Sequence, residues 1–163
     1  MSISVTEMGV GLDIGLTSCP TVLLEHDLPD ETHHFDWLIA RDPKGVQPLM
    51  CFRISARLDQ LKPGDSLDAV QIDDHRGAYL EYEGPVSGDR GVVRRLCQGD
   101  LARLPAETPP LAAGERFIIR WHSGLASNRT SDRQGVQLSR QESRVWTIQA
   151  LSPNDLLDHN TTC

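Results

Sequence analysis

Short β-favouring runs recur along this chain at near-even spacing, each closed by turn residues, and that rhythm restricts it to an all-β body. Residues 21–26, 34–40, 49–54, 67–72, 79–83, 92–97, 116–121 and 145–150 supply eight expected strands. Gly84-Pro85 and the Ser87–Gly91 run punctuate the loop after the fifth. No stretch carries the i, i+3, i+4 apolar repeat of a long helix. Only residues 152–158, opening on Ser152 with Asp155 behind it, suit a single helical turn. Residues 122–143 are polar and aperiodic and are expected to form a long loop. The pattern by itself fits an antiparallel barrel or a sandwich.

At 163 residues the chain is expected to form one domain, large enough to bury about two-thirds of its unfolded surface without covalent staples. Residues 1–20 read as an N-terminal extension, 21–150 as the β domain and 151–163 as a C-terminal tail. The four cysteines, Cys19, Cys51, Cys97 and Cys163, form no CxxC pair and are expected to be reduced thiols. No run of about 20 apolar residues is present, and the first residues carry no export signal. The expectation is a cytoplasmic monomer with no membrane segment.

The formal charge of -7 argues against indiscriminate nucleic-acid binding. Its distribution is uneven. Residues 1–89 carry 6 basic and 16 acidic side chains, whereas 90–146 carry 10 basic and 5 acidic ones. All ten of those basic residues are arginine, whose planar fork suits phosphate. A solvated surface in an arginine-favouring sequence explains the block equally well.

Two segments propose chemistry. The first runs from His26 to Asp36, leaving one strand at His26 and entering the next with His34-Phe35-Asp36. Alternation puts Phe35, Trp37 and Ile39 on one strand face and His34 and Asp36 on the other, with Cα atoms roughly 6.5–7 Å apart. The second, Asp74-His75-Arg76-Gly77-Ala78-Tyr79, sets His75 just ahead of the strand expected at 79–83. Three imidazoles and one carboxylate are a nitrogen–oxygen set suited to manganese, iron or zinc rather than magnesium. An isolated His-x-Asp on a strand is common, so spacing alone leaves a solvated face open as the alternative. His33 sits beside His34 but faces the other way, and His122 and His159 have no partner pattern.

Together the two segments resemble the 3′-phosphoesterase domain of bacterial DNA ligase D and its small stand-alone relatives. The first signature, a His-Asp dipeptide followed by His-aromatic-Asp, reads His26-Asp27 and His34-Phe35-Asp36. The second, Asp-His-x-x-x-Tyr with a following acidic-Gly pair, reads Asp74-His75 to Tyr79 and then Glu83-Gly84. The resemblance covers residues 23–99. It implies a mainly β fold, a compact antiparallel β-barrel of about eight strands with little helix. It implies a divalent metal, foremost manganese with zinc or cobalt as substitutes, held by His26, His34, Asp36 and His75. It further implies catalytic roles for His75 and Tyr79, and removal of a 3′-phosphate or 3′-ribonucleotide from DNA or RNA–DNA ends in repair. A DNA ligase or end-joining proteins would then be partners.

The chain departs from the family pattern in three places. The spacing from His26 to His34 is longer by two residues. Leu38 stands where the family has arginine, and the Pro-Lys-Gly element is replaced by Phe52-Arg53-Ile54-Ser55. Arg53 or Arg76 is left to bind phosphate. Two other functions fit the same residues: a non-catalytic module for DNA ends or a repair partner with a vestigial metal site, and a metal-binding barrel acting on another phosphorylated substrate.

Overall fold

The structure is a computed structural model that describes residues 18–104, 114–122 and 133–152. Its strands are β1 (Ser18–Asp27), β2 (His33–Ile39), β3 (Leu49–Ile54), β4 (Ser66–His75), β5 (Gly84–Pro85), β6 (Val92–Arg103), β7 (Glu115–Trp121), β8 (Arg133–Glu142) and β9 (Val145–Ala150). All pair antiparallel, in the order β1-β2-β3-β4-β9-β8-β7-β6, and β6 returns to pair with β1. Eight strands therefore close into a barrel with no free edge among them. The two-residue β5 adds to the start of β6. The expected mainly β barrel is what the chain forms.

Period-two alternation builds the interior. Leu23, Phe35, Trp37, Ile39, Phe52, Ile119 and Ile148 point inward and pack into one buried cluster. The Trp37 indole donates to Thr21 Oγ1 at 2.8 Å, and that hydroxyl donates to the Leu38 carbonyl at 2.7 Å. Its buried polar atom is thus satisfied, as a core indole requires.

A second apolar cluster lies on the outside of the barrel. Val22, Leu24, Leu38, Leu49, Cys51 and Val93 face outward yet are buried, with Tyr79, Leu80 and Val86 packed over them. These covering residues belong to a strap that crosses β1–β4 between β4 and β6. The strap is held by Arg95, whose guanidinium donates to the Leu80 carbonyl at 3.1 Å and whose backbone N–H donates to Glu83 Oε1 at 2.8 Å. It lies so close that a side-chain carbon at Gly77 would run into the Gly45 carbonyl.

Three expectations are corrected here. Residues 79–83 form no strand: Gly77–Leu80 is a 3-10 turn, and His75 ends β4 rather than preceding another strand. The barrel closes without this segment, so Tyr79 and Leu80 pack down on its outer wall instead of joining a ladder. The expected loop at 122–143 contains β8, a full barrel strand. Strand β1 also starts at Ser18, ahead of the expected boundary. The helical turn expected at 152–158 lies, beyond Ser152, outside the described residues.

Strand β8 escaped notice because one of its inward residues is polar. Gln134 is 5% exposed; its Oε1 accepts from the Trp121 indole and its Nε2 donates to the Leu58 carbonyl, both at 2.9 Å. Gln134→Leu strips both partners inside the core. The expected loss is about 1–3 kcal/mol, from the desolvation of groups left unpaired, read as a lower urea midpoint at unchanged slope. An unchanged midpoint would show that water replaces the amide.

Candidate metal centre

The antiparallel register makes the first half of the site. His26 on β1 pairs directly with His34 on β2, and Asp36 follows two residues later on the same outward face. Their rings meet edge to face with centroids 4.8 Å apart. Ligand atoms of His26, His34 and Asp36 all lie within 4.8 Å of one another. A second group, Asp36, Cys51 and His75, meets the same limit, so Asp36 is common to both.

Hydrogen bonds fix which ring nitrogens are free. His26 Nε2 lies 2.6 Å from the Arg90 carbonyl, which can only accept, so Nε2 carries the hydrogen. In the neutral ring Nδ1 then presents a lone pair, 3.9 Å from Asp36 Oδ2. His75 Nδ1 likewise donates to the Asp73 carbonyl at 3.0 Å, which leaves its Nε2 with the lone pair. This is how metal-ligating histidines are commonly held, with the other ring nitrogen tied to an acceptor.

The remaining atoms lack partners. His34 Nε2 and Asp36 Oδ1 are buried, 3.4 Å apart, and neither makes a hydrogen bond. Asp36 is only 2% exposed. A buried carboxylate without a donor is costly, and the nearest guanidinium nitrogen, Arg53 Nε, stays 3.8 Å from Oδ1. Converging lone pairs around an unsatisfied carboxylate are the chemistry of a cation site, and this donor set fits a divalent ion.

The site opens into a cleft of about 600 Å³. Its wall carries two arginines, Arg53 and Arg90, and three carboxylates, Asp30, Asp36 and Asp89. That formal balance is minus one, which a divalent cation would reverse. His75 and Tyr79 also line the cleft, their rings 5.4 Å apart. Of the two arginines expected to bind phosphate, Arg53 lines it and Arg76 does not; Arg76 is exposed at the start of the strap's 3-10 turn.

Leu38, in the position where an arginine was expected, is fully buried in the outer apolar cluster. Arg53 comes instead from the neighbouring strand, directly opposite Asp36 in the β2–β3 register. The sequence reading missed Arg90 and Cys51. Arg90 orients His26 through its backbone carbonyl, which no side-chain pattern reveals. Cys51 sits in an apolar run and reads as core. Burial, reinforced by the Asp36 charge, pushes its thiol well above the ordinary range.

The other histidines stand apart from this site. His33 lies edge-on to Phe35, and His122 pairs with Asp100 at 2.6 Å; His159 lies outside the described residues. The arginine-rich block is not one free cationic face. Arg94 pairs with Glu25, Arg103 with Glu115 and Arg144 with Asp73. Among the described residues no helix is long and apolar enough to cross a membrane. Compared with models of known protein families and with curated proteins, the chain matches none.

Proposed function

We propose that this protein is a metal-dependent phosphoesterase that processes nucleic-acid 3′ ends, removing a terminal phosphate or ribonucleotide. The observation that carries the reading is the unsatisfied pair His34 Nε2 and Asp36 Oδ1, facing a cleft with Arg53 on its wall. His26, His34 and Asp36 would hold the ion, manganese by choice of nitrogen and oxygen donors. A bound divalent ion supplies Lewis-acid polarisation of the phosphoryl group and acidifies a water.

The chain's own residues do the rest. Arg53 offers its fork to the non-bridging oxygens of the phosphate. His75, with Nδ1 tied to the Asp73 carbonyl, keeps Nε2 free to accept a proton and return it to the leaving oxygen. Tyr79, half-buried beside His75, offers a hydroxyl to the phosphate. The motif order from His26 to Tyr79 supports this assignment through its resemblance to the ligase D phosphoesterase domain.

The cleft suits an end better than a duplex. Its cations are few, and three arginines of the basic block are already paired with carboxylates. A surface tracking duplex DNA needs many unpaired cations.

The test is a primer carrying a 3′-phosphate, incubated with the purified protein and manganese. Release of phosphate is expected with manganese and not after chelation. Product that survives the chelator would sink the metal-dependent reading. No product from a 3′-phosphate or a 3′-ribonucleotide end, alongside turnover of a simple aryl phosphate, would transfer the activity to another phosphorylated substrate.

A further inference from the structure

The assigned ligands leave one potential donor beside the site unexplained. Cys51 on β3 is 0% exposed, and its sulfur lies within 4.8 Å of ligand atoms on both Asp36 and His75. It faces outward from the barrel, on the same side of the sheet as Arg53 two residues on. Most buried thiols are inert apolar filler. Here two further observations point to a ligand. Asp36 carries a buried oxygen with no hydrogen-bond partner. His75 has its Nδ1 committed to the Asp73 carbonyl, so a lone pair is free on the other nitrogen.

The geometry points to a second cation position, made by Asp36, Cys51 and His75, that takes a thiophilic divalent ion of the zinc class. The ligand set is one carboxylate oxygen, one sulfur and one imidazole nitrogen. Tetrahedral bonds of about 2.0–2.3 Å place neighbouring ligand atoms about 3.3–3.8 Å apart. Closing from 4.8 Å to that spacing takes at most about 1–1.5 Å, within reach of side-chain rotation at His75 and Asp36.

Binding converts the Cys51 thiol to a thiolate and releases its proton to water, with no change of oxidation state. Asp36 and His75 both line the cleft, so the ion enters from there, and the fourth position is left to water. Manganese, which favours oxygen and nitrogen over sulfur, belongs at His26, His34 and Asp36. The thiol draws zinc or cobalt to the other side of the shared carboxylate. This position stands independently of whether the protein hydrolyses phosphate esters, because it is read by metal spectroscopy and not by turnover.

The experiment is a cobalt(II) titration of the reduced full chain, followed in the near ultraviolet for thiolate-to-cobalt charge transfer. A saturable band is expected. It should vanish in Cys51→Ala and survive in Cys97→Ala and His26→Ala. His75→Ala should weaken the affinity read from the band by at least about tenfold, as loss of a ligand must. No band in the wild type, or a band that persists in Cys51→Ala, overturns the assignment. Should Cys51→Ala fail to fold by circular dichroism, His75→Ala decides, since wild-type affinity there overturns it equally.

Discussion

Asp36→Asn is expected to abolish the manganese response of this protein while leaving the metal-free fold at least as stable as before. The carboxylate is the shared member of both ligand groups, so the substitution removes the anionic anchor of each. A ligand that binds only the native state at about 100 times its Kd stabilises by about 2.7 kcal/mol. For a domain of this size that is a rise of about 5–10 °C in melting temperature. The wild type should show it, and Asp36→Asn should show none. Manganese-dependent turnover should fall by at least about 100-fold, beyond the 10–100-fold typical when only a ligand's outer hydrogen bond is lost.

The sign of the metal-free effect follows from the orphaned atoms. Asp36 Oδ1 is buried with no donor, His34 Nε2 stands 3.4 Å from it without a hydrogen bond, and the His26 Nδ1 lone pair faces Oδ2. An asparagine amide keeps the shape, drops the charge and places its one NH2 group against a neighbouring imidazole nitrogen. The expected gain is up to about 1–2 kcal/mol. A site that gains stability when its central residue is neutralised is one held under strain for binding. A variant markedly less stable without metal would show instead that Asp36 serves the fold, through His26, His34 and Arg53 as cationic partners.

Much of this was legible in the residues. The alternation in His34-Phe35-Asp36-Trp37 assigns two faces, and the structure puts Phe35 and Trp37 inside and Asp36 outside. What stayed hidden depends on tertiary closure. The Tyr79-Leu80-Glu81-Tyr82-Glu83 run alternates like a strand. Its apolar members nevertheless pack on an outer wall that exists only once β1–β4 are assembled. Strand β8 carries Gln134, Gly135 and Gln137 where apolar residues would advertise a strand. Its burial makes sense only with the Trp121 indole and the Leu58 carbonyl in place. In the site, His26, His34 and Asp36 were visible as ligand types. The Arg90 carbonyl that sets the His26 tautomer was not, because any residue offers a carbonyl. Arg53 was a candidate only by elimination, and its cross-strand pairing with Asp36 gives it a place beside the ion that Leu38 cannot fill.

Trp37→Ala is expected to do the reverse of Asp36→Asn, although the two residues are adjacent. Trp37 is 0% exposed and points into the barrel, with its ring 5.8 Å from that of Phe52. Truncation of a buried aromatic to alanine costs about 3–5 kcal/mol, from lost transfer energy and the cavity left behind. Thr21 loses one donor but still donates to the Leu38 carbonyl, so no orphaned hydroxyl adds to the cost. Against a total of about 5–15 kcal/mol this is a large fraction, and the melting temperature should drop by about 6–20 °C. The molecules that remain folded keep His26, His34 and Asp36 on the opposite face, so the manganese-induced rise should persist at about 5–10 °C. Loss of that rise in Trp37→Ala would mean that the outward ligand geometry depends on interior packing. Its retention would show that one strand divides its labour by face, with burial on odd positions and ion binding on even ones.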